Sequence, residues 1–108
     1  MTADGPLTEE DLSAMERRAA AAAPGPWTAW LEGRHGVGGD SFIQVRPEAE
    51  PDDEIYVSRF VEGAQLPGQD PRLDADIDFI AAARQDVPRL IAEVRRLRAA
   101  AADRSRGW

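Results

Sequence analysis

The strongest constraint on this chain is a helical repeat in its last quarter. Around and beyond Pro88, apolar residues recur at alternating steps of three and four: Val87, Leu90, Val94, Leu97 and Ala101. Arg89, Glu93, Arg95, Arg96 and Arg98 flank them. This is the a/d seam of an amphipathic helix. Two heptads are fewer than a free-standing coiled coil needs, so the seam must be covered by the chain's own sheet, by a second copy, or by both. Val87, Leu90, Val94, Leu97 and Ala101 are therefore the expected dimer interface.

The helix carrying the seam is expected over 75–104. Asp74 or Asp76 can cap it, and Ile77, Phe79, Ile80 and Ala83 supply its first apolar residues. Pro88 removes a backbone donor, so the segment reads as a helix of about 75–85 and another from 87 capped by Asp86, or as one helix kinked there. A second helix is expected over 8–23. Thr8 can cap it, Asp11 stands where a capping box has its acid, and Leu7 and Leu12 have staple spacing. Leu12, Met15, Ala19 and Ala22 form a thin stripe that needs a close neighbour, and Pro24-Gly25-Pro26 ends the helix.

Between the helices, residues 27–60 read as a β meander. Trp27–Glu32 alternates, with Trp27, Ala29 and Leu31 on one face. Ser41–Arg46 places Ile43 and Val45 together. Glu54–Phe60 places Ile55 and Val57 on one face and Tyr56, Ser58 and Phe60 on the other. Gly33–Asp40 reads as a turn, Pro47–Asp53 as an acidic loop, and 61–73 as a loop. The expected fold is one α+β domain spanning 1–108: an N-terminal helix, a small antiparallel three-stranded sheet, and a long kinked C-terminal helix. A single three-stranded sheet needs a cover, and the helices can supply it.

Composition excludes whole classes of chemistry. The 108 residues contain no Cys, so disulfides and thiolate metal sites are ruled out. All 13 basic residues are Arg, so there is no Walker A lysine. One histidine, His35, cannot build a multi-histidine metal site. No apolar run reaches the roughly 20 residues of a membrane span, and the N-terminus lacks signal-peptide character, so a cytoplasmic location is expected. The net charge is -7, but it is unevenly distributed. Residues 84–108 carry seven Arg against three acids, and residues 1–83 carry six Arg against 17 acids. That polarity suits self-association or an anionic partner at the basic end. The acidic remainder repels a phosphate backbone, so duplex nucleic acid is not an expected partner.

The candidate sites are each weak. Gly36-Val37-Gly38-Gly39 is glycine-rich, but no helix follows to complete a phosphate cradle. His35 reads as a solvated loop residue, with no recognisable Ser or Cys nucleophile motif beside it. Asp52-Asp53-Glu54 lacks the spacing and glycine of a calcium loop. Trp27, Trp30 and Tyr56 can form a stacking surface, with Arg59, Arg84 or Arg89 for an anion, although a chain this small needs aromatics inside. Arg84 and Asp86 are polar on an otherwise apolar stretch, the place to look for a ligand. No cofactor or metal is expected, and no catalytic residue.

Two stretches carry a resemblance. One is Ala23-Pro24-Gly25-Pro26-Trp27 after an Ala-rich helix. The other runs from Asp74 to Arg98, with Phe79-Ile80-Ala81-Ala82-Ala83-Arg84-Gln85-Asp86-Val87-Pro88 at its centre. Together they resemble the small Ead-like proteins of actinobacteria and their phages, matching at both ends and only in character over 28–73. The resemblance implies a setting among phage or prophage accessory genes and transfers no catalytic residue. In physical terms, Pro-Gly-Pro sets the angle between helix and first strand, Trp27 plugs the junction, and Phe79 and Ile80 anchor the long helix on the sheet.

The expectation is a non-enzymatic, oligomeric interaction protein of phage or actinobacterial origin that binds another, unknown protein. The alternative is a protein that sequesters a small nucleotide-like anion between subunits, using Trp27, Trp30, Tyr56, Arg59, Arg84 and Arg89.

Overall fold

The computed structural model describes residues 5–37, 39–46, 48 and 53–106. Gly38 of the glycine-rich turn, most of the acidic loop at 47–52 and Asp52 of the acidic run lie outside them. The architecture is α+β: α1 (Glu9–Ala21), β1 (Thr28–Trp30), α2 (Glu32–His35), β2 (Phe42–Arg46), β3 (Asp53–Ile55), β4 (Phe60–Val61), β5 (Ala64–Gln65) and α3 (Pro71–Arg106). The chain falls into two compact units, residues 24–85 and residues 1–23 with 86–108.

In the 24–85 unit, β1, β2 and β3 form an antiparallel sheet in that order. Ala29 pairs with Ile43, and Ile43 with Ile55. The alternation of β2 decides which face is inner, since Ile43 and Val45 are buried while Phe42 and Gln44 are half-buried. Leu31, Ile43, Leu66, Leu73, Ile77 and Ala81 make the core, with Trp27, Ala29, Val57 and Val61 packed against it. Complete burial of Leu31, Ile43 and Ile77 contributes about 1.5–3 kcal/mol each.

The inward faces expected for Trp27–Leu31 and for Ile43 with Val45 are found. The expected 54–60 strand is cut short. β3 ends at Ile55, and Val57 still packs inward while Ile55 is exposed. Two segments expected as turn and loop contain regular structure. Glu32–His35 makes one helical turn, ended by Gly36 in the left-handed region at φ 60°. Residues 60–65 form a hairpin whose two-residue tip, Glu62-Gly63, has positive φ at both positions. Such a tip favours Gly, Asn or Asp, and the glutamate obscured the signal.

The long helix starts earlier than expected, at Pro71 rather than near residue 75. Asp70, rather than Asp74 or Asp76, is its cap: Arg72 N–H donates to the Asp70 carboxylate at 2.8 Å, and Asp74 N–H to the Asp70 carbonyl at 3.1 Å. Proline at the first helical position loses no hydrogen bond, because that donor would be unpaired anyway. Pro88 lies inside α3 without dividing it, so Asp86 caps no new helix. The expected anchors are also corrected. Phe79 is 74% exposed and Ile80 is also exposed. Leu73, Ile77 and Ala81, spaced by four, face the core instead.

In the other unit, α1 has the expected cap. Asp11 N–H donates to Thr8 Oγ1 at 3.0 Å, and Thr8 N–H donates to the Asp11 carboxylate at 2.9 Å. Leu12 and Ile91 are the buried side chains here among the described residues. Arg95 of α3 bridges Glu9 and Glu16 of α1, and Arg98 donates to the Leu7 carbonyl at 2.6 Å. These polar contacts tie α1 to α3, and none of them is made by the Leu12–Ala22 stripe itself.

Candidate functional site

Within the 24–85 unit, the residues expected to bind a ligand fall at distinct places. Trp27 and Arg84 belong to the junction where the Pro24–Trp27 turn meets α3. Trp27 N–H donates to Gln85 Oε1 at 2.9 Å, and Gln85 Nε2 donates to the Trp27 carbonyl at 3.3 Å and to the Ala81 carbonyl at 3.0 Å. Gln85 thus holds Trp27 as a neighbouring strand would, from the side of a helix. A methyl group at Gly25 would lie 3.0 Å from Gln85 Oε1 and 3.3 Å from Arg84 Cγ, so a larger residue there fits only if these side chains give way by a few tenths of an ångström. Both stretches that carry the sequence resemblance meet here. Trp27 Nε1 and Arg84 Nε are buried without hydrogen-bond partners among the described residues.

Trp30 and Tyr56 lie instead on the outer face of the sheet. Trp30 is paired across β1–β2 with Phe42, whose ring centroid is 5.5 Å from that of Tyr56. Trp30 Nε1 donates to Gln44 Oε1 at 3.1 Å, and Tyr56 Oη donates to Glu54 Oε1 at 2.9 Å. Phe42, half-buried between them, completes the aromatic row and was absent from the expected set. Its position in β2, out of phase with Ile43 and Val45, was the available signal. Arg59 is ion-paired with Asp76 at 2.9 Å. Arg89 belongs to the other unit, exposed on α3.

His35 and Ser41 act structurally. His35 Nδ1 accepts from Leu31 N–H at 2.8 Å, and its ring stands edge-on to Trp30 at 5.2 Å. Buried Ser41 accepts from Glu32 N–H at 2.9 Å and donates to the Gly68 carbonyl at 3.1 Å, joining α2 to the segment before α3. Beside it, Glu32, Asp40 and Asp70 line an open cleft of about 470 Å³ with Gly39, Pro67, Gly68 and Gln69. Arg72 hydrogen bonds hold the Asp70 carboxyl down at about 2, through its side chain first and its backbone second. Among the described residues, no group of three or more His, Asp or Glu is placed to hold a metal ion, and no helix is long and apolar enough to cross a membrane.

The seam residues lie on the second half of α3. Leu90 is 63% exposed, Leu97 52% and Val87 38%, Ala101 is exposed, and Val94 is half-buried. Ile91, one position off the expected stripe, is the residue buried in this half. Asp86, Arg89, Leu90 and Glu93 line an open depression of about 490 Å³. Among the flanking charges, Arg96 pairs with Glu93, lowering the Glu93 carboxyl and raising the Arg96 guanidinium. The chain matches no protein-family model, no curated protein and no solved structure.

Proposed function

We propose that this chain is a non-enzymatic interaction protein that assembles with a second copy of itself along α3 and binds another protein. The observation that carries this reading is the exposed apolar stripe Val87, Leu90 and Leu97, in heptad register on a helix whose local core consists of Leu12 and Ile91. Full burial of a leucine contributes about 1.5–3 kcal/mol, so covering what Leu90 and Leu97 leave exposed contributes roughly 1 kcal/mol each per copy. The favoured product is a reversible dimer rather than an obligate one, because association itself costs several kcal/mol. The sequence resemblance supports a setting among actinobacterial phage or prophage accessory genes, and the reading takes the cytoplasm as the location from the sequence's lack of a membrane-spanning run and of signal-peptide character. The anionic-ligand reading, a site between subunits, has less support, because Arg59 is already paired with Asp76 and, within the 24–85 unit, Trp27 with Arg84 lies apart from Trp30 with Tyr56.

The test is the solution mass of Leu97→Asp. Two lost leucine contacts and two charges on an apolar seam weaken the dimer by about 3 kcal/mol, roughly a hundredfold in Kd. Far-UV circular dichroism checks that the variant remains helical. A variant with the same mass-against-concentration curve as the wild type removes the seam from the account.

A further inference from the structure

We propose that the outer face of the β1–β2–β3 sheet docks an arginine-bearing segment of a partner protein, with Phe42, Tyr56 and Glu54 receiving a guanidinium. This rests on the interaction-protein reading and names the chemistry of the partner.

Three observations select that occupant. First, the rings are held without being covered. Tyr56 is 58% exposed, yet its hydroxyl is bonded to Glu54 and its ring leans on Phe42 at 33°. Trp30 is fixed by Gln44 and by the edge of His35. Rigid aromatic side chains lose little freedom when a partner arrives. Second, the nearby cations are already paired with carboxylates. The described arginines of the sheet and hairpin segment each face a carboxylate: Arg34 faces Asp78 at 3.2 Å, Arg46 faces Asp53 at 3.9 Å, and Arg59 faces Asp76 at 2.9 Å. Glu54 accepts its hydrogen bond from a neutral phenol, so its negative charge stands beside the rings. Third, ring faces next to a carboxylate match a planar guanidinium, which stacks on one and hydrogen-bonds the other. A nucleic-acid strand can use the same rings for base stacking, but it needs cations for its phosphates, and this face offers a carboxylate.

The experiment titrates the full chain with a fluorescein-labelled peptide of alternating glycine and arginine. Matched lysine and citrulline peptides and a short single-stranded oligonucleotide are run beside it. Saturable binding of the arginine peptide is expected, with the lysine peptide at least about threefold weaker and the neutral citrulline peptide silent. Tyr56→Leu and Glu54→Gln should each weaken the arginine peptide at least about fivefold. Glu62→Gln, on the hairpin tip, should leave it unchanged. Equal binding of citrulline, insensitivity to both face variants, preference for the oligonucleotide, or no saturable arginine binding overturns the proposal. Solution mass is read on the same samples. A wild type that stays monomeric counts against assembly along α3, whereas lost peptide binding at unchanged mass bears on this face alone.

Discussion

Replacing Gln85 with methionine should unfasten the turn that leads into the sheet. Methionine has similar length and helix propensity, so the exchange removes hydrogen bonding with little change in volume. Three hydrogen bonds go, and the part-buried Trp27 N–H loses its acceptor. The Ala81 carbonyl keeps its own helical partner, so the main cost is at Trp27. An orphaned buried donor costs about 1–3 kcal/mol, which sets the expectation near 2 kcal/mol. For a unit of this size that is a fall of about 10 °C in Tm. Thermal and urea unfolding, followed by tryptophan fluorescence and circular dichroism, measure it. A second variant tests the geometry. Gly25→Ala pushes a methyl to 3.0 Å from Gln85 Oε1, so its cost should fall by at least about 0.5 kcal/mol when residue 85 is alanine. A Gln85→Met loss below about 0.5 kcal/mol, with no coupling to Gly25, refutes the latch.

Three further outcomes are expected. Ser41→Ala removes the hydroxyl that accepts from Glu32 N–H and donates to the Gly68 carbonyl, both part-buried bonds, and should cost about 1–3 kcal/mol in urea unfolding. Glu62→Asn at φ 50° should raise stability by a few tenths to 1 kcal/mol, because asparagine accepts left-handed backbone more readily; a loss contradicts the hairpin tip. The Asp70 carboxyl is depressed by Arg72 to about 2, so its contribution is complete above the ordinary carboxylate range and disappears as pH falls through about 2. A carboxyl NMR titration checks this, and an Asp70 midpoint near 4 contradicts the Asp70–Arg72 geometry.

Much of the fold could be read from single residues. The Thr8–Asp11 capping box, the inward Ile43–Val45 pair and the apolar heptad after Pro88 are local patterns that set local conformation. What escaped depends on contacts distant in sequence, or on residues used against type. Proline at position 71 resembled a loop residue but starts a helix, because Asp70 before it supplies the cap. Phe79 resembled a core anchor because it is large and apolar, but the helix phase is set by Leu73, Ile77 and Ala81. Gln85 continues that same spacing of four, so a polar amide on a core stripe was the visible sign of a latch. Of the candidate site, the aromatic character was legible, but its assembly was not. Strand register divides Trp27 from Trp30 and adds Phe42, and register is fixed only when the strands pair.

Native mass spectrometry of the purified wild-type chain tests the central claim most directly. The account predicts a concentration-dependent population at twice 11.8 kDa with no small-molecule adduct. A chain that stays at 11.8 kDa at every concentration contradicts assembly along α3. A reproducible adduct of a few hundred daltons would restore the anionic-ligand reading in its place.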